Sequence, residues 1–119
     1  MALLTAQNIS RDTTGGGLQP AYTAVTASDT FAADSETFLH VKNGSGASIT
    51  VTIPIPTGRD PIPNTPYAQN RQYAVPAGQE RMFGPFPASY YGDPVTGLVT
   101  VNYSATATVT AALLNLQIP

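Results

Sequence analysis

The stretch of residues 37–55, TFLHVKNGSGASITVTIPI, constrains the fold of this chain more than any other segment. Apolar side chains alternate with polar ones on both sides of a Gly-rich centre, at Leu39, Val41, Ile49, Val51, Ile53 and Ile55. This two-residue period is typical of strands with one buried face. Asn43, Gly44 and Gly46 tolerate the positive φ angles that a tight reversal needs. We therefore predict that this stretch forms a β-hairpin.

Other short segments have the same strand character and are separated by proline, glycine and asparagine. These segments are 22–25, 30–31, 72–75, 81–83 and 98–103. The last predicted strand, 108–118, begins by alternating and ends apolar on both faces, which is typical of a strand at a sheet centre or beneath a neighbouring subunit. No helical period with caps is present. The predicted fold is all-β: a single antiparallel β-sandwich or small barrel, jelly-roll-like or immunoglobulin-like.

The length of 119 residues predicts one domain. Residues 1–17 end in three glycines, so we predict an N-terminal arm with a glycine hinge; an edge strand of the same domain is the alternative. The β-sandwich domain then comprises residues 18–119. Within it, residues 54–70 are rich in proline and are predicted to form a long exposed loop, because proline lacks the amide that a strand ladder requires.

Charged residues make up only 10% of the chain, against about 25% in ordinary soluble domains, and the net charge is −2. Such a surface suits a protein packed against neighbours, or a neutral extracellular domain. The few cations are scattered singly, which argues against nucleic-acid binding. Cysteine is absent, which excludes disulfides and thiolate sites and fits assembly in a reducing cytoplasm. Neither a signal peptide nor a membrane helix is predicted, so we expect synthesis in the cytoplasm.

Residues that could carry chemistry are few. His40 is the single histidine, which is too few for a typical zinc site, and a structural or surface role is expected. Asp29, Asp34 and Glu36 could bind a hard cation, but their spacing fits no EF-hand loop and a solvated turn is expected. No P-loop or nucleophile elbow occurs, and a pair of catalytic carboxylates is neither favoured nor excluded. We predict no enzyme, no cofactor and no metal.

Four tyrosines could form an aromatic platform for a sugar: Tyr73, Tyr90, Tyr91 and Tyr103. Core packing with the hydroxyl groups at the surface is the more common fate of such residues.

Four stretches resemble a small head protein of tailed bacteriophages: MALLTAQNISRD, ETFLHVKNGSGASITVTIP, YAVPAGQERMFGPFP and YGDPVTGLVTVNYSATATVTAALLNL. Chains of this kind are regarded as head decoration, or capsid cement, proteins. The resemblance implies a structural virion protein that binds the outer surface of the major capsid protein shell and bridges its subunits. It implies no active-site residues. By analogy, it also implies a homo-oligomer, in particular a trimer.

Contacts with the shell or with neighbouring copies are then expected from the arm, the proline-rich loop and the last strand. The residues proposed for these contacts are Leu3, Leu4, Ile9, Arg59, Ile62, Tyr67, Leu114, Leu116 and Ile118. Two alternatives remain at this stage. One is a carbohydrate- or receptor-binding module of a phage tail or fibre, which would use the tyrosines and the acidic group. The other is a head-to-tail connector component.

Overall fold

The structure is a computed structural model that describes residues 2–9, 18–56 and 70–116. Ten strands and one helical turn form in this part of the chain. They are β1 Leu3–Leu4, β2 Gln7–Ile9, β3 Thr23–Ala24, β4 Ser28–Ala32, β5 Thr37–Asn43, β6 Ile49–Ile53, β7 Arg71–Val75, β8 Glu80–Phe83, α1 Ala88–Tyr91, β9 Leu98–Tyr103 and β10 Val109–Leu116. The all-β prediction is therefore confirmed at the level of fold class.

The strands form two sheets. The first sheet has the order β1-β4-β9-β6-β7, and the second has the order β2-β10-β5-β8, with β3 also pairing with β10. Most neighbours are antiparallel, but β1 runs parallel to β4 and β2 runs parallel to β10. The prediction of a purely antiparallel fold is thus wrong for the N-terminal strands, because residues 2–9 add to the edge of both sheets in one direction.

The pairing of the central strands is nested. β6 pairs with β7, β5 with β8 and β4 with β9, so each pair encloses the previous one along the chain. The innermost and outermost pairs lie in the first sheet, where β9 also pairs with β6, and the middle pair lies in the second. The chain from β4 to β9 is therefore one long hairpin that has been rolled up, so that its two ends lie in the first sheet and its middle lies in the second.

The inward side chains of both sheets share one apolar core. It includes Leu39 and Val41 of β5, Val51 and Ile53 of β6 and Val99 of β9, each with 0% exposure. Each such side chain contributes about 1.5–3 kcal/mol when removed from water. A common core between two layers is compatible with a β-sandwich.

The predicted hairpin at residues 37–55 is wrong, although both of its strands exist. β5 lies in the second sheet, between β10 and β8, while β6 lies in the first, between β9 and β7. The alternating pattern requires only that each strand turn one face to the core. Two strands facing each other across a core satisfy this requirement as well as two strands paired in one sheet.

The crossing between β5 and β6 is held by Asn43. Its side-chain amide donates to the carbonyls of Ala47 (2.8 Å) and Val75 (2.9 Å), and its side-chain oxygen accepts from the Ser45 N–H (3.0 Å). Gly44 approaches another loop closely: a Cβ at this position would lie 2.9 Å from the Thr108 carbonyl oxygen. Gly44 is therefore required by space and not, as predicted, by a positive φ angle.

Residues 2–9 pair with the sheets of their own domain, which is the edge-strand alternative that the sequence left open. The glycine hinge, and with it the predicted boundary at residue 17, lies outside the described residues. The same holds for most of the predicted loop 54–70; at its base the Ile55 N–H donates to the side-chain oxygen of Asn70 (2.7 Å).

Candidate interaction surfaces

The outer side of the first sheet is mainly polar, and β4, β6, β7 and β9 place no charged side chain on it. Because alternate residues of a strand point to opposite faces, burial of Phe31, Val51 and Val101 turns their neighbours outward. The outward side chains on these four strands are Ser28, Thr30, Ala32, Thr50, Thr52, Gln72, Ala74, Leu98, Thr100 and Asn102. All ten are at least partly exposed. We call this set the neutral face.

The outer side of the second sheet is partly covered by the chain itself. Tyr22 precedes β3, and its hydroxyl lies 2.6 Å from Nδ1 of His40; the two rings meet edge to face with centroids 5.4 Å apart. The other ring nitrogen of His40, Nε2, lies 3.0 Å from a Glu80 carboxylate oxygen. The Lys42 ammonium sits 4.0 Å from the centroid of the Tyr22 ring, a cation–π contact.

This arrangement explains why His40 is only 5% exposed, although it lies on the side of β5 opposite Leu39 and Val41. Both ring nitrogens have partners, so the imidazole satisfies its hydrogen-bonding capacity while buried. His40 thus connects β5 to β8 through Glu80 and to the segment before β3 through Tyr22. Its contacts are those of a structural residue.

Four of the proposed contact residues lie together at one edge of the molecule, which we call the N-terminal edge. β1 places Leu3 and Leu4 at the edge of the first sheet, and β2 places Ile9 beside Leu116 of β10 at the edge of the second. Leu3 is 66% exposed and Leu116 is 48% exposed, while Leu4 and Ile9 are half-buried. Exposed leucines at an edge are available for contact with a partner.

Leu114 must be removed from the proposed contact set. Its side chain is only 4% exposed, because β10 is flanked by β5 on one side and β2 on the other, with Phe38 and Gln7 opposite Leu114. The two-sided apolar character of this strand reflects a position inside its sheet with cover from the same chain. The remaining contact residues, Arg59, Ile62, Tyr67 and Ile118, lie outside the described residues.

Two clefts that are partly open to solvent lie at the N-terminal edge. One, of about 300 Å³, is lined by Leu3, Leu4 and Ala6 on the edge side and by Leu113 and Asn115 on the other. The second, of about 260 Å³, is lined by Leu3 and Gln7 on the edge side and by Ala111 on the other. The Asn115 side-chain oxygen is buried without a hydrogen-bond partner among the described residues. Residues 2–9 therefore leave open clefts against the two sheets, although Leu4 and Ala6 pack against the core.

A third concavity, of about 330 Å³, is an apolar groove next to Leu116. Phe38 and Pro85 line it together with Leu116, and Glu36 lies at the same groove. Met82, on the same side of the second sheet as His40, is 61% exposed. This end of the second sheet therefore has more exposed apolar surface than the neutral face.

The predicted acidic group does not converge on one point. Asp29 is completely buried, where its carboxylate accepts hydrogen bonds from the N–H groups of Thr26 (3.2 Å) and Ala2 (3.1 Å) and from the Thr26 hydroxyl. Asp34 and Glu36 are exposed. Within the described residues, no group of three or more acidic or histidine side chains is arranged to hold a metal ion. Asp29 instead fixes the start of β1 against β4.

The predicted aromatic platform is also not formed. Tyr91 and Tyr103 are buried, with 0% and 6% exposure, and Tyr73 stacks on Phe83 with ring centroids 4.1 Å apart. The Tyr103 hydroxyl has no hydrogen-bond partner among the described residues. Its burial, and secondarily the nearby charge of Asp29, raise the pKa of Tyr103 well above its ordinary value. Tyr91 and Tyr103 are therefore core residues, while Tyr73 and Tyr90 are partly buried and pack against the core.

Sequence reasoning predicted a nearly uncharged surface but missed the single neutral face that four strands form, and it missed the contacts of Tyr22. A signal for the first was present, since Thr50, Thr52, Thr100 and Asn102 alternate with buried residues in two separate strands. The contact between Tyr22 and His40 joins residues 18 positions apart, and no local pattern indicates it.

Comparison of the chain with protein-family models, with curated proteins and with solved structures found no match. In the part of the chain that the structure describes, no helix is long and apolar enough to cross a membrane.

Proposed function

We propose that this protein is a structural component of a bacteriophage particle. In this proposal it decorates the capsid, binding the outer surface of the shell of major capsid protein and stabilising it. It would be made in the host cytoplasm and act in the virion, without catalysis or a cofactor. The proposal begins from the sequence resemblance and is supported by the surfaces described above.

The neutral face is the observation that carries the proposal. Burying a charged side chain in an interface is costly unless a partner compensates for it, whereas threonine, serine, asparagine and glutamine can exchange hydrogen bonds with water for hydrogen bonds across an interface. Seven of the ten outward positions carry such side chains and none carries a charge, which is unusual for an exposed sheet, because charges normally keep a free surface soluble. A face of this composition fits a protein that spends its working life covered.

The nested pairing favours one of the two predicted topologies. In a jelly roll, a long hairpin is rolled into two sheets, and pairing between distant strands follows from this. In the immunoglobulin fold, consecutive strands such as A and B are neighbours in one sheet. Here β6 and β7 are the only consecutive strands paired within the described residues. We therefore propose a jelly-roll-like sandwich.

The test uses a lysine in the neutral face and the same substitution elsewhere. Thr52→Lys places a charge between Gln72 and Asn102, and Thr106→Lys places it in the exposed loop after β9. Both proteins would be bound to shells of the major capsid protein that lack this chain. We expect Thr52→Lys to reduce binding at least tenfold and Thr106→Lys to bind like the parent, with equal unfolding midpoints. Equal binding by all three would contradict a role of the neutral face.

Copy number separates decoration from the connector alternative. A decoration protein should approach the abundance of the major capsid protein, whereas a connector component is present in few copies. Quantitative mass spectrometry of purified virions measures this ratio. Burial of Tyr91 and Tyr103 leaves the receptor-binding alternative with Tyr73 and Tyr90, which are only partly buried. A homo-oligomer, in particular a trimer, remains part of the proposal by analogy.

A further inference from the structure

We propose that residues 2–9 exchange between copies of this chain. In the exchanged form, β1 and β2 of one copy would pair with β4 and β10 of a second copy, in the register seen here within one chain. The partner is thus a second copy, and its docking surface is the pair of sheet edges beneath the N-terminal edge. This inference concerns contacts between copies and does not depend on a capsid.

Residues 2–9 form a discrete unit. β1 has two residues and β2 has three, and each pairs with a single strand of the body of the domain. The Thr30 N–H donates to the Ala2 carbonyl (2.8 Å), and the Gln7 side chain exchanges two hydrogen bonds with the backbone of Ala21, each 2.8 Å. Every one of these partners lies after residue 17. A second copy therefore offers the same partners in the same geometry.

The unit also leaves open space against the rest of the domain. Clefts of about 300 and 260 Å³, both partly open to solvent, lie between residues 2–9 and the two sheets. Leu4 and Ala6 are the apolar residues of the unit that pack against the core. Asn115, whose side-chain oxygen is buried without a partner among the described residues, is one of the residues that line the first cleft. Segments with few close contacts open at a lower free energy than the core does, so this unit can detach without global unfolding.

Residues 10–17, which connect residues 2–9 to the rest of the domain, are numerous enough for exchange. Gln7 and Ala21, on either side of residues 10–17, are hydrogen-bonded to each other, so the connection within one chain does not need its full reach. The nine Cα steps from Ile9 to Leu18 can span about 30 Å when extended. The molecule measures 44 × 40 × 26 Å. A neighbouring copy is therefore within reach when the N-terminal edges of the two copies face each other.

Exchange of this kind retains the contacts that residues 2–9 make. The equilibrium between the exchanged and unexchanged forms therefore depends on protein concentration and on residues 10–17, which connect the two parts. The exchanged form should therefore increase as protein concentration increases. On any surface that holds many copies close together, the exchanged form would be favoured further and would tie each copy to its neighbour.

The absence of cysteine permits a direct test, because engineered thiols have no background. Leu3 and Thr30 are directly opposite each other in the β1–β4 pair. Leu3→Cys and Thr30→Cys would be prepared as separate proteins of different mass, mixed at high concentration and oxidised. Exchange predicts a disulfide-linked heterodimer whose fraction increases with concentration. The matched control is a mixture of Thr52→Cys and Asn102→Cys, which are opposite each other within the body, and it should give no heterodimer above background.

Double variants complete the test. Leu3→Cys/Thr30→Cys should form linked oligomers at high concentration, while Thr52→Cys/Asn102→Cys should form only a bond within one chain. The proposal is overturned if the first double variant closes only within one chain and the mixture gives no heterodimer. It is also overturned if Leu3→Cys/Thr30→Cys forms no disulfide while Thr52→Cys/Asn102→Cys does, because β1 and β4 then do not pair. Either result leaves the shell-binding proposal standing.

Discussion

At the scale of single residues, the hydroxyl groups of Tyr22 and Tyr103 are chemically identical and have opposite surroundings. The first lies 2.6 Å from a buried histidine nitrogen. The second is buried without a partner among the described residues. A hydrogen bond contributes about 0.5–1.5 kcal/mol net, whereas a buried polar group without a partner costs free energy. The same substitution, tyrosine to phenylalanine, should therefore have opposite effects at the two positions.

Tyr22→Phe removes the hydroxyl but retains the ring above which Lys42 lies. We expect the free energy of unfolding to fall by about 1 kcal/mol, because Nδ1 of buried His40 loses its partner. Urea unfolding at neutral pH measures the change. An unchanged unfolding midpoint would show that the contact with His40 contributes nothing to stability.

Tyr103→Phe should leave the free energy of unfolding unchanged or raise it by up to about 1 kcal/mol, because it removes a buried hydroxyl without a partner. The same urea experiment applies, so each tyrosine variant is the control for the other. A clear loss of stability would mean that the Tyr103 hydroxyl forms a hydrogen bond in solution.

The raised pKa of Tyr103 also predicts sensitivity to alkali. Below pH 10 this phenol carries its proton in both the folded and the unfolded chain, and its contribution does not change with pH. Above pH 10 the unfolded chain loses the proton and the folded chain keeps it. The free energy of unfolding should then fall by about 1.4 kcal/mol per pH unit from this group. Tyr103→Phe should have a shallower alkaline loss than the parent when both are unfolded in urea between pH 9 and 11.

At the scale of elements, alternation identified strands better than it identified their partners. Leu98–Tyr103 was predicted with its observed bounds, and the inward faces of β5 and β6 were predicted correctly. The pairing of β5 and β6 was not, because alternation determines which face is buried but not which neighbour supplies the cover. Likewise, the two-sided burial of Leu114 was visible in the sequence, but its cause, flanking strands of the same chain, was not.

The crossing between β5 and β6 gives a test with two neighbouring glycines. Gly44→Ala places a Cβ 2.9 Å from the Thr108 carbonyl oxygen, whereas a Cβ at Gly46 meets nothing within 4 Å. We expect Gly44→Ala to lower the free energy of unfolding by about 1–3 kcal/mol through overpacking, and Gly46→Ala to change it by less than about 0.5 kcal/mol. Thermal unfolding of both variants tests this. If these were the positive-φ glycines of a hairpin turn, both variants would lose stability.

At the scale of the whole molecule, the two outer faces differ. The neutral face is mainly polar and has no charge, while the second sheet combines its covered histidine with exposed apolar residues such as Met82. The net charge is only −2 over 119 residues. Recognition of a large partner through such a surface depends on shape and hydrogen bonding more than on long-range electrostatics.

Binding to shells of the major capsid protein should therefore depend weakly on salt. We expect the dissociation constant to change by less than about threefold between 50 and 500 mM NaCl, since charges that could be screened are scarce in the neutral face. Sedimentation of shells with bound protein measures this. A loss of binding of tenfold or more over that range would indicate that charged residues outside the neutral face form the contact.

The nested pairing of the strands has a consequence for how this chain can vary in length. The connection from Pro56 to Asn70 lies at the tip of the rolled hairpin, between the innermost strands β6 and β7. Inserting residues there shifts no strand relative to its partners, and each doubling of a flexible connection costs only about 0.6 kcal/mol. An insertion between β5 and β6 would instead disturb the crossing held by Asn43. New sequence can thus be added at the tip of the hairpin at a lower cost to the fold than at the crossing between β5 and β6.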